Sequence, residues 1–239
     1  MIADINSYFG FYPIKKLDVS FQRLVEIKNK HSIDRIFTLS LRGIFYNFQE
    51  GNQETLLKVK EDRTFQPVAT IDLRMYFGEE DYFRKIEKKF QILRLFPATQ
   101  GWPIEYSPFY RLLPWIEELN MVLMVEIGRG RGGDITKLSR LTSKFTFPVI
   151  LTGIGYWNFA ETLSCMKDNP RIYVETSQFN TPDAYEVFCK EVGEGRIIFG
   201  SGIPLQSFLS VWLPFERSKL SRIEKEKIAG KNISRLLNL

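Results

Sequence analysis

Arginines stand near the ends of several apolar segments of this 239-residue chain. Each segment is a short run rich in Val, Ile, Leu, Phe or Met, as is typical of a buried strand. The carboxyl ends of parallel strands meet at one side of a fold, and guanidinium groups match the geometry of carboxylate and phosphate. We therefore expect an anionic small molecule to bind there, unless the arginines pair with acidic neighbours instead. The arginines are Arg42, Arg74, Arg94, Arg129 and Arg131.

A second set of polar side chains has the functional groups for acid–base chemistry. Alternation along the first apolar run groups Asp4, Asn6 and Tyr8 on one side, and the run that ends near residue 127 groups Met124 with Glu126. We predict that Glu126 is a general base and Tyr8 a hydrogen-bond donor, with Asn6 beside them. An arginine would then stabilise developing negative charge without a metal ion.

Two further residues complete the predicted substrate-binding set. Glu175 and Ser201 lie at the ends of the last two apolar runs, where a bound ligand would meet them. The chain has one histidine, His31, which follows a helical segment rather than a strand. A Ser-His-Asp arrangement needs an imidazole beside the serine, so this class of hydrolase is excluded.

Eight strand candidates alternate with charged segments of helical periodicity, which indicates repeated βα units on a parallel sheet. This pattern predicts an α/β protein, a single-domain (β/α)8 TIM barrel over residues 1–239, with an open doubly wound sheet as the competitor. Both folds place ligands at the carboxyl ends of the strands. The predicted strands are 2–6, 35–41, 66–73, 92–96, 122–127, 149–152, 172–176 and 197–200. The predicted helices are 19–30, 54–62, 80–89, 110–119, 135–143, 157–167, 182–191 and 219–237.

Composition narrows the classes of partner. The formal net charge is +5, and most of the excess lies in residues 211–239, where Glu and Lys alternate at helical spacing as on a solvated helix face. We therefore predict no nucleic-acid partner. No apolar run approaches the roughly 18 residues that a membrane span needs, and the first residues lack the pattern of a secretory signal. With two cysteines that have no metal or redox spacing, the expectation is a cytoplasmic protein with no membrane partner.

Six segments, taken in order, resemble one known family. Residues 1–10, 122–128, 147–155, 169–177 and 196–204 are similar to strands of the metal-dependent amidohydrolase superfamily, and residues 227–237 resemble its terminal helix. The similarity is greatest to the branch that includes carboxymuconate-semialdehyde-type decarboxylases and related hydrolases. It extends over nearly the whole chain and implies the barrel fold.

The resemblance also implies a place for divalent ions, because the family binds one or two through His side chains and an Asp. The matching positions in this chain are Asn6, Tyr8, Glu126, Gly153 and Gly202. Glycine offers no donor atom, and only one of the five positions keeps an anionic group. We therefore expect a degenerate metal site and no cofactor. A cation held by carboxylate oxygens stays an alternative, with ligands drawn from Asp4, Asp72, Glu126 and Glu175.

Residues 128–134, GRGRGGD, give a competing interpretation. They satisfy G-x-G-x-x-G after a strand and before a helix, and together with Glu126 they resemble the first motif of S-adenosylmethionine-dependent methyltransferases. A nucleoside site also requires an acidic residue at the end of the next strand, where this chain has Thr152-Gly153.

The leading expectation is thus either a metal-independent hydrolase of a small anionic substrate or a non-catalytic small-molecule-binding relative. A methyltransferase that uses residues 128–133 and a non-enzymatic scaffold protein are the alternatives. A homodimer is the oligomer left open.

Overall fold

A computed structural model describes residues 1–75, 82, 89–128 and 132–239. Parallel strands follow one another around the molecule in sequence order, as a run of three and a run of six hydrogen-bonded strands. They are β1 (Ala3–Phe9), β2 (Arg35–Ser40), β3 (Phe65–Pro67), β4 (Ala69–Thr70), β5 (Ile92–Leu95), β6 (Val122–Glu126), β7 (Val149–Thr152), β8 (Ile172–Glu175) and β9 (Ile197–Ile198).

The third predicted strand is divided in two. β3 pairs with β2 and β4 pairs with β5, while the intervening Val68 donates its backbone N–H to Thr38 of β2. The two pieces therefore occupy one position in the barrel. Pro67, which has no N–H to contribute to the ladder, immediately precedes this break. Eight strand positions result, at the places that the sequence predicts.

The first and last strands close the sheet on itself. Ile5 donates its N–H to the carbonyl of Phe199, and Tyr8 donates to that of Ile203, at 3.1 and 2.9 Å. In the reverse direction Gly202 donates to the carbonyl of Asn6. The closed α/β barrel confirms the predicted (β/α)8 class, and the open doubly wound alternative is wrong.

Helices surround the barrel and cover the apolar outer side of its strands. Their bounds are α1 (Phe21–His31), α2 (Arg42–Phe45), α3 (Phe48–Val59), α4 (Pro97–Gln100), α5 (Ser107–Glu118), α6 (Asp134–Thr142), α7 (Phe159–Asp168), α8 (Ala184–Val192), α9 (Phe208–Arg217), α10 (Arg222–Glu226) and α11 (Asn232–Leu236), with a π-helical turn at Lys227–Lys231 between the last two. The prediction of a helix over 80–89 falls almost entirely outside the described residues. Helix α9 was not predicted, since Pro214 lies inside it.

Local sequence explains where several helices begin. The side chain of Ser20 accepts the backbone N–H of Arg23 at the start of α1, and Asn47 accepts two N–H groups at the start of α3. Ser221 and Glu224 form a capping box at α10. These caps fix the residues at which the three helices begin.

A second apolar cluster fills the inside of the barrel. It contains strand residues that alternate with the outward-facing ones, among them Ile92 of β5, Met124 of β6, Ile150 of β7 and Ile198 of β9. Two positions further along β5 and β6, the same inward side carries Arg94 and Glu126. The barrel is therefore apolar at its amino-terminal end and becomes polar towards the carboxyl ends of the strands.

Candidate functional site

A cavity of about 390 Å³ opens at the carboxyl ends of the strands. This is the end of a (β/α)8 barrel where binding and catalytic groups generally lie. The polar side chains in its wall come from strands β1, β5, β6 and β7 and from the loops that follow β7, β8 and β9. The wall is formed by Asn6, Tyr8, Arg94, Ala98, Glu126, Ile127, Gly128, Thr152, Gly153, Trp157, Ser177, Gln178, Gly202, Leu205 and Gln206.

Arg94 lies at the floor of this cavity and is only 2% exposed. Its Nη1 donates to Oδ1 of Asn6 at 2.8 Å, and its Nη2 donates to the hydroxyl of Tyr8 at 2.5 Å. The guanidinium also lies over the rings of Tyr8 and Phe96, 4.7 and 4.9 Å from their centroids. Within the described part of the chain it forms no ion pair with a carboxylate, and its Nε has no hydrogen-bond partner.

Asn6 connects this cation to a buried acid. Its Nδ2 donates to Oε2 of Glu175 at 3.1 Å and to Oγ of Ser177 at 3.2 Å. Because Arg94 can only donate, the carbonyl end of the Asn6 amide must face the guanidinium, and the amino end must face Glu175. One amide group therefore separates a buried positive charge from a buried carboxyl group.

Burial raises the pKa of two carboxyl groups beneath the cavity. The pKa of Glu175 is raised to about 7 by desolvation, although the hydrogen bonds from Ser177 and the charge of Arg94 oppose the shift. Desolvation likewise raises the pKa of Asp4 to about 6, against hydrogen bonds from Ser201 and Asn6. Burial also raises the pKa of Tyr8, so its phenol stays protonated and can donate a hydrogen bond.

The predicted alternation on the first strand is only partly correct. Asn6 and Tyr8 share the cavity wall, but the pairing of β1 with β2 shifts register between Asp4 and Ser7. The Asp4 carboxylate accepts hydrogen bonds from the backbone N–H and the hydroxyl of Ser201 instead of lining the cavity. Ser201, predicted to bind substrate, is buried in this contact and is not part of the wall.

Glu126 lines the cavity, and both its carboxylate oxygens are already hydrogen-bonded. They accept the backbone N–H of Thr99 at 3.0 Å and its hydroxyl at 3.1 Å. A carboxylate at the start of a short helix satisfies N–H groups that have no partner within the helix. The sequence did not reveal this contact, because Thr99 belongs to α4, which no periodic pattern marks.

The predicted convergence of arginines on one opening is wrong for two of them. Arg42 is half exposed and pairs with Glu50 at 2.5 Å. Arg74 pairs with Asp72 at 2.7 Å and donates to the carbonyl of Gln100. Each has a local acidic partner, which is the alternative that the sequence left open. Arg129 and Arg131 lie outside the described residues.

Ser177 and Gln206 were missed by the sequence reasoning, although both line the cavity. Ser177 lies two residues beyond the end of β8, so its position near a strand end was a signal present in the sequence. The amide of Gln206 donates to the carbonyls of Ser177 and Ser201 and fills the space beside Gly202, whose φ is +76°. Nothing in the sequence near Gln206 marks it, since it reaches the cavity from the loop before α9.

Clusters of His, Cys, Asp or Glu that bring together three potential metal ligands are not found among the residues described here. In the same part of the chain, every helix is too short or too polar to cross a lipid bilayer.

Solved structures of low sequence identity share this fold. A probable 2-pyrone-4,6-dicarboxylic acid hydrolase from Acinetobacter baumannii, with citric acid bound, has a TM-score of 0.77 at 13% identity, covering 100% of this chain and 99% of its own. A 5-carboxyvanillate decarboxylase from Sphingomonas paucimobilis has a TM-score of 0.76 at 12% identity, with coverage of 100% and 99%. A dihydroxybenzoic acid decarboxylase from Polaromonas sp. JS666, with manganese and 2-nitroresorcinol bound, has a TM-score of 0.76 at 14% identity, with coverage of 100% and 98%.

Comparison with curated protein sequences finds no significant match. A family model does match: the model described as "Amidohydrolase" aligns with residues 62–239, about three quarters of the chain. The barrel, the polar cavity at the carboxyl ends of its strands and this alignment agree, and we conclude that the chain belongs to the amidohydrolase family.

Proposed function

We propose that this chain binds a small carboxylate-bearing molecule in the mouth of its barrel, and that Arg94 rather than a divalent ion holds the carboxylate. The observation that carries the proposal is the placement of Arg94. A buried guanidinium is costly unless an anion or several hydrogen bonds compensate it, and the described residues supply two hydrogen bonds and no ion pair. A carboxylate that enters the cavity would complete this compensation.

The residues at the family's metal positions do not fit a divalent ion. Asn6 has a neutral amide and Tyr8 a protonated phenol, and each accepts a hydrogen bond from Arg94. Gly153 and Gly202 have no side-chain atom that could coordinate a metal ion, and the Glu126 carboxylate accepts a hydrogen bond from Thr99. A fixed guanidinium beside Asn6 and Tyr8 would also repel a divalent cation. We infer that the metal site has degenerated, and we derive no step through a metal ion.

The relatives of known structure support the class of ligand. Citric acid is bound in the 2-pyrone-4,6-dicarboxylic acid hydrolase, and the names of the two decarboxylases contain carboxylic acids. The cavity volume of about 390 Å³ lies near the lower end of the range for small-molecule sites. A carboxylic acid of modest size is therefore the proposed ligand.

Neither alternative from the sequence is favoured. A methyltransferase site at the Gly-rich loop requires an open Rossmann sheet, whereas here β6 precedes the loop within a closed barrel. A scaffold protein without a ligand gives no reason for an arginine to lie at the floor of a polar cavity.

Calorimetric titration with citrate and a panel of mono- and dicarboxylates tests the proposal. We expect saturable binding by at least one acid, weakened about tenfold or more in Arg94→Lys, since an ammonium cannot make the paired contacts of a guanidinium. Arg222→Lys, at an exposed pair with Glu226 on α10, is the matched control and should bind unchanged. No saturable binding in the wild-type protein, or equal binding by Arg94→Lys, would contradict the proposal.

Metal analysis by mass spectrometry tests the second part. Protein purified without chelators should hold far less than one equivalent of zinc or manganese. One equivalent that persists through dialysis would show that the inference of a degenerate metal site is wrong.

A further inference from the structure

Ser177 has the surroundings of a nucleophilic hydroxyl. Its Oγ donates to Oε2 of Glu175 at 2.8 Å, and its own backbone N–H donates to the other carboxylate oxygen at 2.6 Å. Ser177 is partly exposed in the cavity wall, whereas Glu175 lies beneath it at 0% exposure. A hydroxyl that faces a cavity and is backed by a buried carboxylate is the arrangement in which a serine loses its proton to a neighbouring base.

The hydrogen bonds fix which way the hydroxyl points. Asn6 donates from Nδ2 to Ser177 Oγ and is itself oriented by Arg94, so one lone pair of Oγ is occupied. The carboxylate of Glu175 can only accept in its ionised form, so the hydroxyl proton must point towards it. One lone pair of Oγ then remains for attack on a carbonyl carbon in the cavity.

We propose that Ser177 is the nucleophile and Glu175 the general base of a metal-independent esterase site, with Asn6 and Arg94 as positioning residues. The substrate class is an ester of a small dicarboxylic acid. The part of the proposal that concerns the second carboxylate rests on the proposed function, since Arg94 would bind it. The nucleophile itself does not depend on that part.

The two half-reactions balance with water as the only further reactant. In acylation, Oγ bonds to the ester carbonyl carbon while its proton passes to Glu175; the bond to the alcohol oxygen then breaks, and the alcohol leaves with that proton. In deacylation, water attacks the acyl group and gives its proton to Glu175. The acyl–Oγ bond then breaks, the acid leaves, and the proton returns to Ser177. Ester and water have become acid and alcohol.

The charges around Glu175 suit a base that works near neutral pH. Burial and the charge of Asp4 of β1 oppose the ionised form of Glu175, while the hydrogen bonds from Ser177 and the charge of Arg94 of β5 favour it. Burial raises the pKa of Tyr185 of α8, so this neighbouring phenol stays neutral. With the pKa of Glu175 raised to about 7, a substantial fraction of the carboxylate is ionised at pH 7 and above. A general base is most efficient when its pKa lies near the working pH.

A serine-directed organophosphorus reagent, diisopropyl fluorophosphate, tests the nucleophile directly. We expect one covalent adduct per wild-type chain by intact mass, assigned to Ser177 by peptide mapping. Glu175→Gln should slow labelling about 100-fold, because an amide cannot accept the proton. Ser210→Ala, which removes a hydroxyl that bonds only the carbonyl of Ser207 among the described residues, should label like wild type. No adduct, an adduct on another residue, or unchanged labelling of Glu175→Gln would overturn the proposal.

Hydrolysis of two chromogenic esters tests the substrate class. We expect p-nitrophenyl hemisuccinate to be cleaved faster than p-nitrophenyl acetate, and the ratio of the two rates to fall about tenfold in Arg94→Lys. Equal rates for the two esters would overturn the dicarboxylic assignment.

The two proposals fail separately. Carboxylate binding by Ser177→Ala, measured by calorimetry, reports on Arg94 alone. Retained binding in a wild-type protein that is never labelled would overturn the esterase site and leave the proposed function standing. Labelling in a protein that binds no carboxylate would overturn the proposed function instead.

Discussion

At the scale of single residues, the site depends on groups whose charge is set by burial. Asn6 itself is neutral, and its amide could take either orientation if Arg94 did not donate a hydrogen bond to the carbonyl oxygen. The consequence is a directed chain of contacts from Arg94 through Asn6 to Glu175 and Ser177. Removing any member takes a hydrogen-bond partner from at least one of the others.

Folding stability should depend on pH through Glu175. Its pKa is about 7 in the folded protein and near its usual value of 4.5 when unfolded. Between these values the folded state binds more protons, so the free energy of unfolding falls as pH rises from about 4.5 to about 7. Asp4 contributes in the same direction between about 3.8 and 6.

Glu175→Gln should flatten this dependence, because the glutamine cannot ionise. Chemical denaturation of both proteins at pH 5 and pH 8 measures it. We expect the wild type to lose more stability than Glu175→Gln over that interval. Parallel losses in the two proteins would show that Glu175 is not the titrating group.

A small side chain at position 200 should also disturb Glu175. A Cβ atom on Gly200 would lie 2.7 Å from Cδ of Glu175, closer than real Cβ contacts. We expect Gly200→Ala to destabilise the protein by about 1–3 kcal/mol through overpacking. Thermal unfolding measures this, and Gly195→Ala is the matched control, because its Cβ would meet nothing closer than 3.6 Å. Equal effects at the two positions would contradict the packing argument.

At the scale of elements, a single carboxylate joins a strand to a short helix. Glu126 at the end of β6 accepts two hydrogen bonds from Thr99 of α4. Four residues form too little helix to be stable alone, so α4 depends on this contact and on the strand before it. The element thereby places Ala98 in the cavity wall.

Removing the Glu126 carboxylate should have two opposite effects. Glu126→Ala should cost about 1–2 kcal/mol of stability, because the Thr99 N–H and hydroxyl lose their acceptor. It should also tighten carboxylate binding a few-fold, because a negative group leaves the cavity wall. Denaturation and calorimetry measure the two effects. Weaker carboxylate binding by Glu126→Ala would contradict the electrostatic argument. Thr99→Val, which loses only the hydroxyl contact, is the control for stability.

At the scale of the whole molecule, the barrel closes where the two ends of the chain meet. Asp4 of β1 accepts the backbone N–H and the hydroxyl of Ser201, just beyond β9. The backbone hydrogen bonds that Ile5 and Tyr8 donate to the loop after β9 add to this contact. These contacts join residues almost 200 positions apart, so closure depends on non-local contacts, which raise the contact order of the fold.

Asp4→Ala should therefore weaken the whole fold rather than one segment. The variant leaves buried N–H groups of Asn6 and Ser201 without their acceptor, which costs about 2–4 kcal/mol. Urea denaturation measures the loss, and Asp168→Ala, at an exposed position at the end of α7, is expected to lose little. A loss below about 1 kcal/mol in Asp4→Ala would contradict the role in closure.

The sequence by itself determined the strands and their order. Runs such as residues 122–125 and 149–151 are apolar throughout because the barrel buries both faces of each strand, and this property is local. The sequence also predicted that Asn6, Tyr8 and Arg94 lie near strand ends. In the structure all three line the cavity wall. The sequence did not predict the break at Val68, since an interruption of one residue leaves the pattern of apolar residues unchanged.

Only the tertiary structure decided how those residues interact. That Arg94 meets Asn6 and Tyr8 while Arg74 meets Asp72 depends on which strands are neighbours and how deeply each side chain is buried. Neither property is encoded at one position of the chain. The same reason explains why Ser177 was not predicted. Its importance comes from Glu175 beneath it and from Asn6 of β1 beside it, and these residues come together only when the sheet closes.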